Sequence, residues 1–388
     1  MRTPTDLEPI HGSGMRLRRR SALLPGALLS GALLSIAPTA TLAQDAAPTI
    51  DQLRASAAAA RESNDIPQAI KLYSQALQTD PTWADGWRYL GMLDYGQSAY
   101  PEARDAVTHF IDLRPQVGLG RALRGLCEFE TGDYAQSLKD IQDGLALGAG
   151  SDPRNVPLLR SREALLLTRA SMFEAALKSY ALLPKDAAPD QDTLIAIGLA
   201  GLRVPMLPQE VADGQKDLYA AAGRAAFEFM SGNEDSAASS FEALFKRYPT
   251  APNAHFLYGY LAQQSDPRRA IAEFKKELTI TPKNLLATEL LAWTLLMQGA
   301  VEQALPYAEA AGAEQPNSAV ALVVLGRALV ENGELREGIG DLREALQIDP
   351  ANVEAHIALA EAFSLSGRDE DAWREREETL RETGRGTD

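Results

Sequence analysis

Apolar and polar positions along the chain follow a helical spacing, and the whole pattern recurs at a fixed interval. The stretch ALQTDP at 76–81 returns as ALQIDP at 345–350, and similar apolar runs end in proline elsewhere. These prolines are Pro81, Pro115, Pro249, Pro282, Pro316 and Pro350. The first two are 34 residues apart, and the last four are separated by 33, 34 and 34 residues. Such a period is typical of stacked helical hairpins.

Small residues occupy fixed places before each proline. Twelve residues before it stand Ala69, Ala103, Ala237, Ala270 and Ala304, and 24 before it stand Ala57, Gly91, Ala225, Ala292 and Gly326. Antiparallel helices approach closely only where neither carries a bulky side chain, so these positions predict helix crossings. Proline then ends the second helix of each hairpin. Gly132, Gly232, Gly333 and Gly367 fall where the first helix must turn into the second.

Two stretches carry this pattern most fully. In ADGWRYLGMLDYGQSAYPEARDAVTHFIDLRP the marked positions are Trp87, Leu90, Gly91, Ala103 and Pro115. In SAVALVVLGRALVENGELREGIGDLREALQIDP they are Leu322, Leu325, Gly326, Gly333, Ala345 and Pro350. Both stretches resemble the tetratricopeptide repeat (TPR) family. The resemblance implies an all-α fold, a right-handed α-solenoid of about nine or ten hairpins.

The copies predict two blocks of repeats. About four hairpins fill 44–190, and about five fill 218–388, where a charged helix caps the array. The segment 191–217 breaks the period. DTLIAIGLAGLR predicts one more apolar first helix with Gly198 in the small place, and two prolines follow without a clear second helix. We expect a degenerate repeat or an irregular connector there.

The first 43 residues have the order of a secretory signal peptide. Arg16 to Arg20 form a basic patch, an apolar run follows, and Thr41 and Ala43 supply small residues for cleavage before Gln44. The apolar run is short and interrupted, which disfavours a membrane span. Met15 is an alternative start, and an uncleaved anchor is the alternative to cleavage. We therefore expect a periplasmic or secreted protein with no transmembrane segment after cleavage.

The net charge and the side chains available for catalysis limit which classes of function the sequence supports. The chain has 38 basic and 53 acidic residues, of which the first 43 residues hold five and two, so the remainder carries a net charge of −18. Such a charge disfavours nucleic acid as a partner. His109, His255 and His356 are far apart, and no catalytic or phosphate-binding motif is evident. The sequence predicts no enzyme, no cofactor and no metal site.

The TPR resemblance also implies a binding surface, because first helices of the family line a concave groove for a peptide or a partner's helix. Carried onto this sequence, the groove candidates are Arg88, Met92, Tyr95, Leu126, Phe129, Tyr219, Phe229, Phe256, Tyr260, Trp293, Met297 and Arg327. Glu289 and Val323 occupy further groove places. The large apolar members are either anchors for an apolar partner segment or side chains that bury one another.

The sequence thus predicts a protein–protein interaction scaffold or adaptor in the cell envelope, with a protein or peptide partner that supplies apolar anchors. The alternative is an accessory subunit of an envelope enzyme, secretion or polysaccharide-export complex. A self-sufficient enzyme would need convergent titratable groups in a cleft, which the sequence does not indicate.

Overall fold

The computed structural model describes residues 48–185 and 189–384. Within these ranges the chain forms helices and connections without any strand. It divides into two compact units between Leu166 and Leu167. The predicted signal peptide and its cleavage position lie outside the described residues. The all-α solenoid predicted from the repeats is confirmed, because successive helices pair into antiparallel hairpins that stack on their neighbours within each unit.

From residue 48 onward, the first unit contains three full hairpins and most of a further helix. Its helices are α1 (Ile50–Glu62), α2 (Ile66–Thr79), α3 (Ala84–Gly96), α4 (Tyr100–Leu113), α5 (Gly118–Thr131), α6 (Tyr134–Ala146) and α7 (Val156–Arg169), which contains the unit boundary. A short 3-10 turn, Ala149–Ser151, follows α6.

The other twelve helices of the described residues lie in the second unit. They are α8 (Phe173–Ala181), α9 (Gln191–Gly201), α10 (Asp213–Met230), α11 (Glu234–Arg247), α12 (Ala254–Ala262), α13 (Pro267–Ile280), α14 (Leu285–Met297), α15 (Val301–Glu314), α16 (Ala319–Glu331), α17 (Leu335–Ile348), α18 (Val353–Leu365) and α19 (Asp369–Glu382). A 3-10 turn, Pro208–Glu210, lies between α9 and α10. The grouping of repeats into 44–190, 191–217 and 218–388 stays a prediction.

The hairpin turns use left-handed backbone where the sequence places glycine. Gly132 has a φ of 85° and Gly333 a φ of 90°, a conformation that costs glycine little and other residues more. Ser98 and Ser171 take the same turn position in hairpins without glycine, at φ values of 60° and 61°. The pairing of the helices therefore sets the turn geometry, and glycine lowers the conformational energy of the positive φ.

The small residues lie at helix crossings, as their spacing predicts. The alanines at both repeat positions are fully buried in their hairpins. At Gly91 an added Cβ would lie 2.4 Å from the Val107 side chain, and at Gly326 it would lie 2.7 Å from Leu342. Each crossing thus joins a small residue on the first helix to a larger one on the second.

Two glycines allow helices α9 and α10 to approach each other closely. A Cβ at Gly198 would lie 1.9 Å from the carbonyl oxygen of Tyr219, and one at Gly223 would lie 1.8 Å from that of Leu194. Both neighbours are backbone atoms, which cannot turn aside as a side chain can. The irregular segment is therefore held by direct contact between two helix backbones.

The last hairpin differs from a purely polar cap. Ala372 is the buried residue of α19, whereas Trp373 is 62% exposed and Leu380 is 47% exposed on the same helix. Leu365, at the end of α18, is also exposed. In the described part of the chain no helix is both long and apolar enough to cross a membrane.

Candidate functional site

Helix α14 is apolar on all sides, because its sequence LLATELLAWTLLM contains a single charged residue, Glu289. A helix of this kind is covered by neighbours on several faces, and α14 packs against α13, α15 and α16. On this helix Leu286, Glu289, Leu290 and Trp293 follow an i, i+3, i+4, i+7 pattern, so they share one face. That face is the first wall of a cavity.

Helices α16 and α18 complete this cavity, which has a volume of about 250 Å³. Val320, Val323 and Val324 line it from α16, again at helical spacing. Asn352, the N-cap residue of α18, and Glu354 line it from the third helix. The first helices of three successive hairpins thus surround one pocket, which we call the groove cavity. Its walls are apolar, with polar groups at a few points.

Glu289 is the buried charged group of the groove cavity. Its side chain belongs to a residue that is only 6% exposed, and Oε1 has no hydrogen-bond partner among the described residues. Burial raises the pKa of this carboxyl above its ordinary value. A buried carboxylate without a partner is unfavourable, because it loses hydration and gains nothing in return. A hydrogen-bond donor placed near Oε1 would therefore stabilise the buried carboxyl of Glu289.

Trp293 forms another part of the wall and is fixed by a neighbouring cation. The guanidinium carbon of Arg327 lies 5.2 Å from the centre of the indole ring. Arg327 Nε also donates to Glu331 Oε1 at 2.7 Å, which balances its charge. The indole is half-buried, and Met297, one turn further along α14, is 43% exposed. Trp293 thus presents an oriented aromatic surface to the cavity.

The candidates on α10 and α12 lie mostly inside their hairpins. Phe256 is buried and stacks on the half-buried Tyr260 with a centroid separation of 6.1 Å. Phe229 meets Tyr258 edge-on at 6.3 Å and is also half-buried. Tyr219 is buried near the start of α10. These aromatic residues contribute more to packing than to an open surface.

The candidates in the first unit are Arg88, Met92, Tyr95, Leu126 and Phe129. Arg88 is held by Asp85, with its Nη2 3.2 Å from Oδ1. Tyr95 is half-buried, and burial raises its pKa to about 12. Leu126 and Phe129 are buried, and the guanidinium carbon of Arg162 lies 4.4 Å from the ring centre of Phe129.

The structure therefore brings some of the predicted groove residues together and separates others. Trp293 lines the groove cavity together with Glu289 and Val323. Met297 lies one turn further along α14, and Arg327, on α16, lies over the Trp293 ring. Four candidates have no open surface, because Leu126, Phe129, Tyr219 and Phe256 are buried. A binding role for the remaining candidates stays a prediction.

The sequence also held a signal for the cavity residues that were not singled out. These are Leu286, Leu290, Val320, Val324, Asn352 and Glu354. Those on α14 and α16 belong to apolar stripes with helical spacing. The stripe on α14 lies beside Glu289, the single charged residue of that helix. A lone acid within an apolar helix face, opposite a second apolar face one repeat later, would have pointed to this pocket.

A larger cavity, of about 610 Å³, lies beside α13 and α15, which are second helices. Its polar lining includes Lys275 and Gln303, together with the partly apolar Tyr307. Of the two cavities, only the smaller is lined by a buried charged side chain. We therefore take the groove cavity as the candidate site.

Histidine and glutamate pair at the same repeat position in two hairpins. His255 Nδ1 lies 2.6 Å from Glu273 Oε2, and His356 Nδ1 lies 2.6 Å from Glu375 Oε2. Each pair joins the first helix of a hairpin to the second, so it acts as a structural clasp. No group of three or more His, Cys, Asp or Glu side chains in residues 48–185 and 189–384 could hold a metal ion.

The stacked hairpins and their inner cavity define a helical-repeat protein of the α-solenoid class. Sequence profiles identify the family within this class. The profile described as "Tetratricopeptide repeat" matches residues 54–117, 221–284 and 260–319, and one described as "TPR repeat" matches residues 326–367. Together they cover about half of the chain. The chain belongs to the tetratricopeptide repeat family, as the resemblance indicated.

Two solved structures are distantly similar to parts of this chain. The chain is similar to residues 41 to the end of MamA from Desulfovibrio magneticus RS-1, with 22% identity over 44% of this chain and 96% of that one, and a TM-score of 0.39. It is also similar to YrrB, described as a TPR protein with an unusual peptide-binding site, with 17% identity over 45% and 90% of the two chains and a TM-score of 0.38. No curated protein sequence matches the chain.

Proposed function

We propose that this chain is a non-enzymatic scaffold or adaptor that binds a peptide or helix of a partner protein along the first helices of its second unit. The observation that carries the proposal is the groove cavity, which combines apolar walls with the oriented ring of Trp293. Aromatic residues in desolvated pockets supply much of the binding energy at protein interfaces. A partner side chain that enters this cavity gains that energy.

The surface around the cavity also suits a partner segment. Val320, which lines the cavity, is also exposed. Met297 is exposed one turn beyond Trp293 on α14, and Ile357 is exposed one turn beyond Glu354 on α18. Exposed apolar residues that border a pocket mark interaction surfaces. The groove cavity and these residues form a strip across α14, α16 and α18 that can accept an extended segment or one face of a helix.

The proposed location is the periplasm or the exterior of the cell. This part of the proposal is supported by the basic, apolar and small-residue order of residues 1–43. Mass spectrometry of the protein from a periplasmic fraction should give an N-terminus at Gln44. Protein that retains its first residues and stays in the cytoplasm would contradict export.

The second candidate function is a permanent subunit of an envelope enzyme, secretion or polysaccharide-export complex. The observation in its favour is the exposed apolar surface of the last hairpin. Trp373 and Leu380 lie seven residues apart on one face of α19, and Leu365 is exposed at the end of α18. Such a surface at the end of an array suits a permanent neighbour more than a transient peptide.

One experiment separates these two functions. Trp293→Ala and Trp373→Ala remove the same side chain from the groove cavity and from the last hairpin. Partner proteins are captured from an envelope extract with wild type and both variants, and helicity is checked by circular dichroism. We expect Trp293→Ala to weaken capture of the partner about 30-fold and Trp373→Ala to retain it, because a central aromatic anchor contributes about 2 kcal/mol.

The opposite result, with loss only in Trp373→Ala, would favour the permanent subunit. Capture that survives both substitutions would contradict both functions. Should Trp293→Ala lose helicity, Val320→Asp tests the same cavity. Val320 is 56% exposed, so its replacement removes no core contact, yet it places a charge on the apolar wall.

A further inference from the structure

We propose that the groove cavity binds one basic side chain of the partner segment, an arginine or a lysine, with Glu289 as its counter-ion. This inference rests on the proposed function and specifies what the groove recognises. It follows from the contacts of Glu289, the size of the cavity and the charges around it.

Glu289 lacks the compensation that other buried acids in the same unit have. Glu273 accepts from Lys276 Nζ at 3.0 Å and pairs with His255, and Glu277 accepts the backbone N–H groups of Asn253 and Phe256. Both carboxylates therefore hold hairpins together. Glu289 Oε1 is buried with no such donor, and the residue lines an open pocket instead of a helix junction. A buried carboxylate is relieved most by a donor that carries positive charge.

The cavity has the size and the walls that a long basic side chain needs. Its volume of about 250 Å³ is below the range of about 300–1,000 Å³ for pockets that hold whole small ligands. It suits a single large side chain. Leu290 and Val323 offer apolar contact for an aliphatic stem, while the charged end reaches Glu289. Lysine and arginine alone combine such a stem with a permanent cation.

The surrounding charges favour the same occupant. Glu354, an exposed residue, adds a second carboxylate to the lining. Arg327, which lies over the Trp293 ring, is already paired with Glu331. The whole chain has a formal net charge of −15, which attracts a basic segment over longer distances. An acidic segment would instead bring a carboxylate against Glu289 and would be repelled. Arginine is the better fit of the two, because its guanidinium is more weakly hydrated and stacks on aromatic rings such as Trp293.

The test uses defined probes with the full chain. A random peptide library displayed on phage is selected against wild type, Glu289→Gln and Glu128→Gln. Glu128 is also a buried carboxyl with an unpartnered oxygen, but it lies on α5, so it is the matched control. The dissociation constants of the best peptide, and of its form with a neutral isostere at the basic position, are then measured for each protein. Citrulline replaces arginine, and norleucine replaces lysine.

We expect wild type and Glu128→Gln to select peptides that share one basic residue between apolar ones. Glu289→Gln should bind the basic peptide at least about 30-fold more weakly, which corresponds to the loss of one member of a buried charge pair. Replacing the basic residue of the peptide by its neutral isostere should weaken binding to wild type by a similar factor. The same replacement should hardly change binding to Glu289→Gln. This pattern would tie the basic residue to Glu289.

Other outcomes overturn the inference in distinguishable ways. Peptides that require Trp293 but contain no basic residue, or that bind Glu289→Gln as well as wild type, refute the basic-residue pocket and leave the scaffold function in place. Peptides selected equally well by Trp293→Ala, or no selection at all, refute both the pocket and the groove as the binding surface. A general acidic attraction would weaken equally in Glu128→Gln and would also refute the specific role of Glu289.

Discussion

Glu128 in α5 and Glu289 in α14 are similar residues in different surroundings. Both are buried, with exposed fractions of 4% and 6%, and each has an oxygen without a hydrogen-bond partner among the described residues. Burial raises the pKa of both. Glu128 lies beside Asp140 and Arg124 in the contact between α5 and α6, whereas Glu289 lines a cavity.

The surroundings of a buried carboxyl, and not its raised pKa, distinguish a structural role from a binding role in this protein. Burial, with a smaller contribution from Asp140, raises the pKa of Glu128 to about 7, yet nothing can approach a carboxyl enclosed within a hairpin. Perturbed pKa values gather at functional sites, but structural networks perturb them as well. Glu289 is the stronger candidate because the residue lines a cavity that a partner can enter.

We expect the largest effect from a substitution that removes Arg124, the cation beside Glu128. Arg124 Nη2 donates to Asp140 Oδ1 at 2.9 Å, and Asp140 is buried. Arg124→Met leaves two buried acids without a cation, so we expect the first unit to lose about 4 kcal/mol of stability. Hydrogen exchange should accelerate in α5 and α6 and stay unchanged in α14 and α16, because repeats couple mainly to their neighbours.

The matched control for this prediction is Arg121→Met. Arg121 makes a longer, partly exposed pair with Asp143, at 3.7 Å. Such a pair is worth less than about 1 kcal/mol. Equal effects of the two substitutions would show that the Arg124 network has no special structural role.

A pH profile gives the next largest effect. Because the folded pKa of Glu128 is raised to about 7, its stabilising contribution is fully present below the ordinary value of 4.5 and is lost as the pH rises through 7. Glu128→Gln removes this titration. The variant should equal wild type near pH 4.5 and exceed its stability by up to about 3 kcal/mol at pH 8. Denaturant midpoints measure the difference, and a constant difference across this pH range would contradict it.

The smallest predicted effect concerns Glu289. Glu289→Leu removes a buried carboxyl that has no partner for Oε1, so we expect the free protein to gain about 1–2 kcal/mol in stability. The exposed Glu354→Leu should change stability by less than about 0.5 kcal/mol. Thermal and denaturant unfolding measure both variants. A less stable Glu289→Leu would mean that this carboxyl serves the fold instead of a ligand.

The sequence predicted the hairpins well, because their signals are local and repeat. Proline, the small residues at crossings and the turn glycine recur at fixed spacing, so each copy supports the others. The groove was predicted less completely. Repeat position tells which helix face a residue lies on, but not how far the next hairpin covers it. Phe256 and Met297 both had groove positions, yet one is buried under aromatic neighbours and the other is exposed.

The contact of Gly198 and Gly223 with opposing backbone has an evolutionary consequence. At a crossing such as Gly91, where the nearest atom belongs to the Val107 side chain, a mutation can be answered by a second mutation in that side chain. Here the facing atoms are the carbonyl oxygens of Tyr219 and Leu194, which are the same in every amino acid. A substitution of the facing residue cannot remove such a contact. We therefore expect both glycines to be retained wherever α9 packs against α10 at this distance.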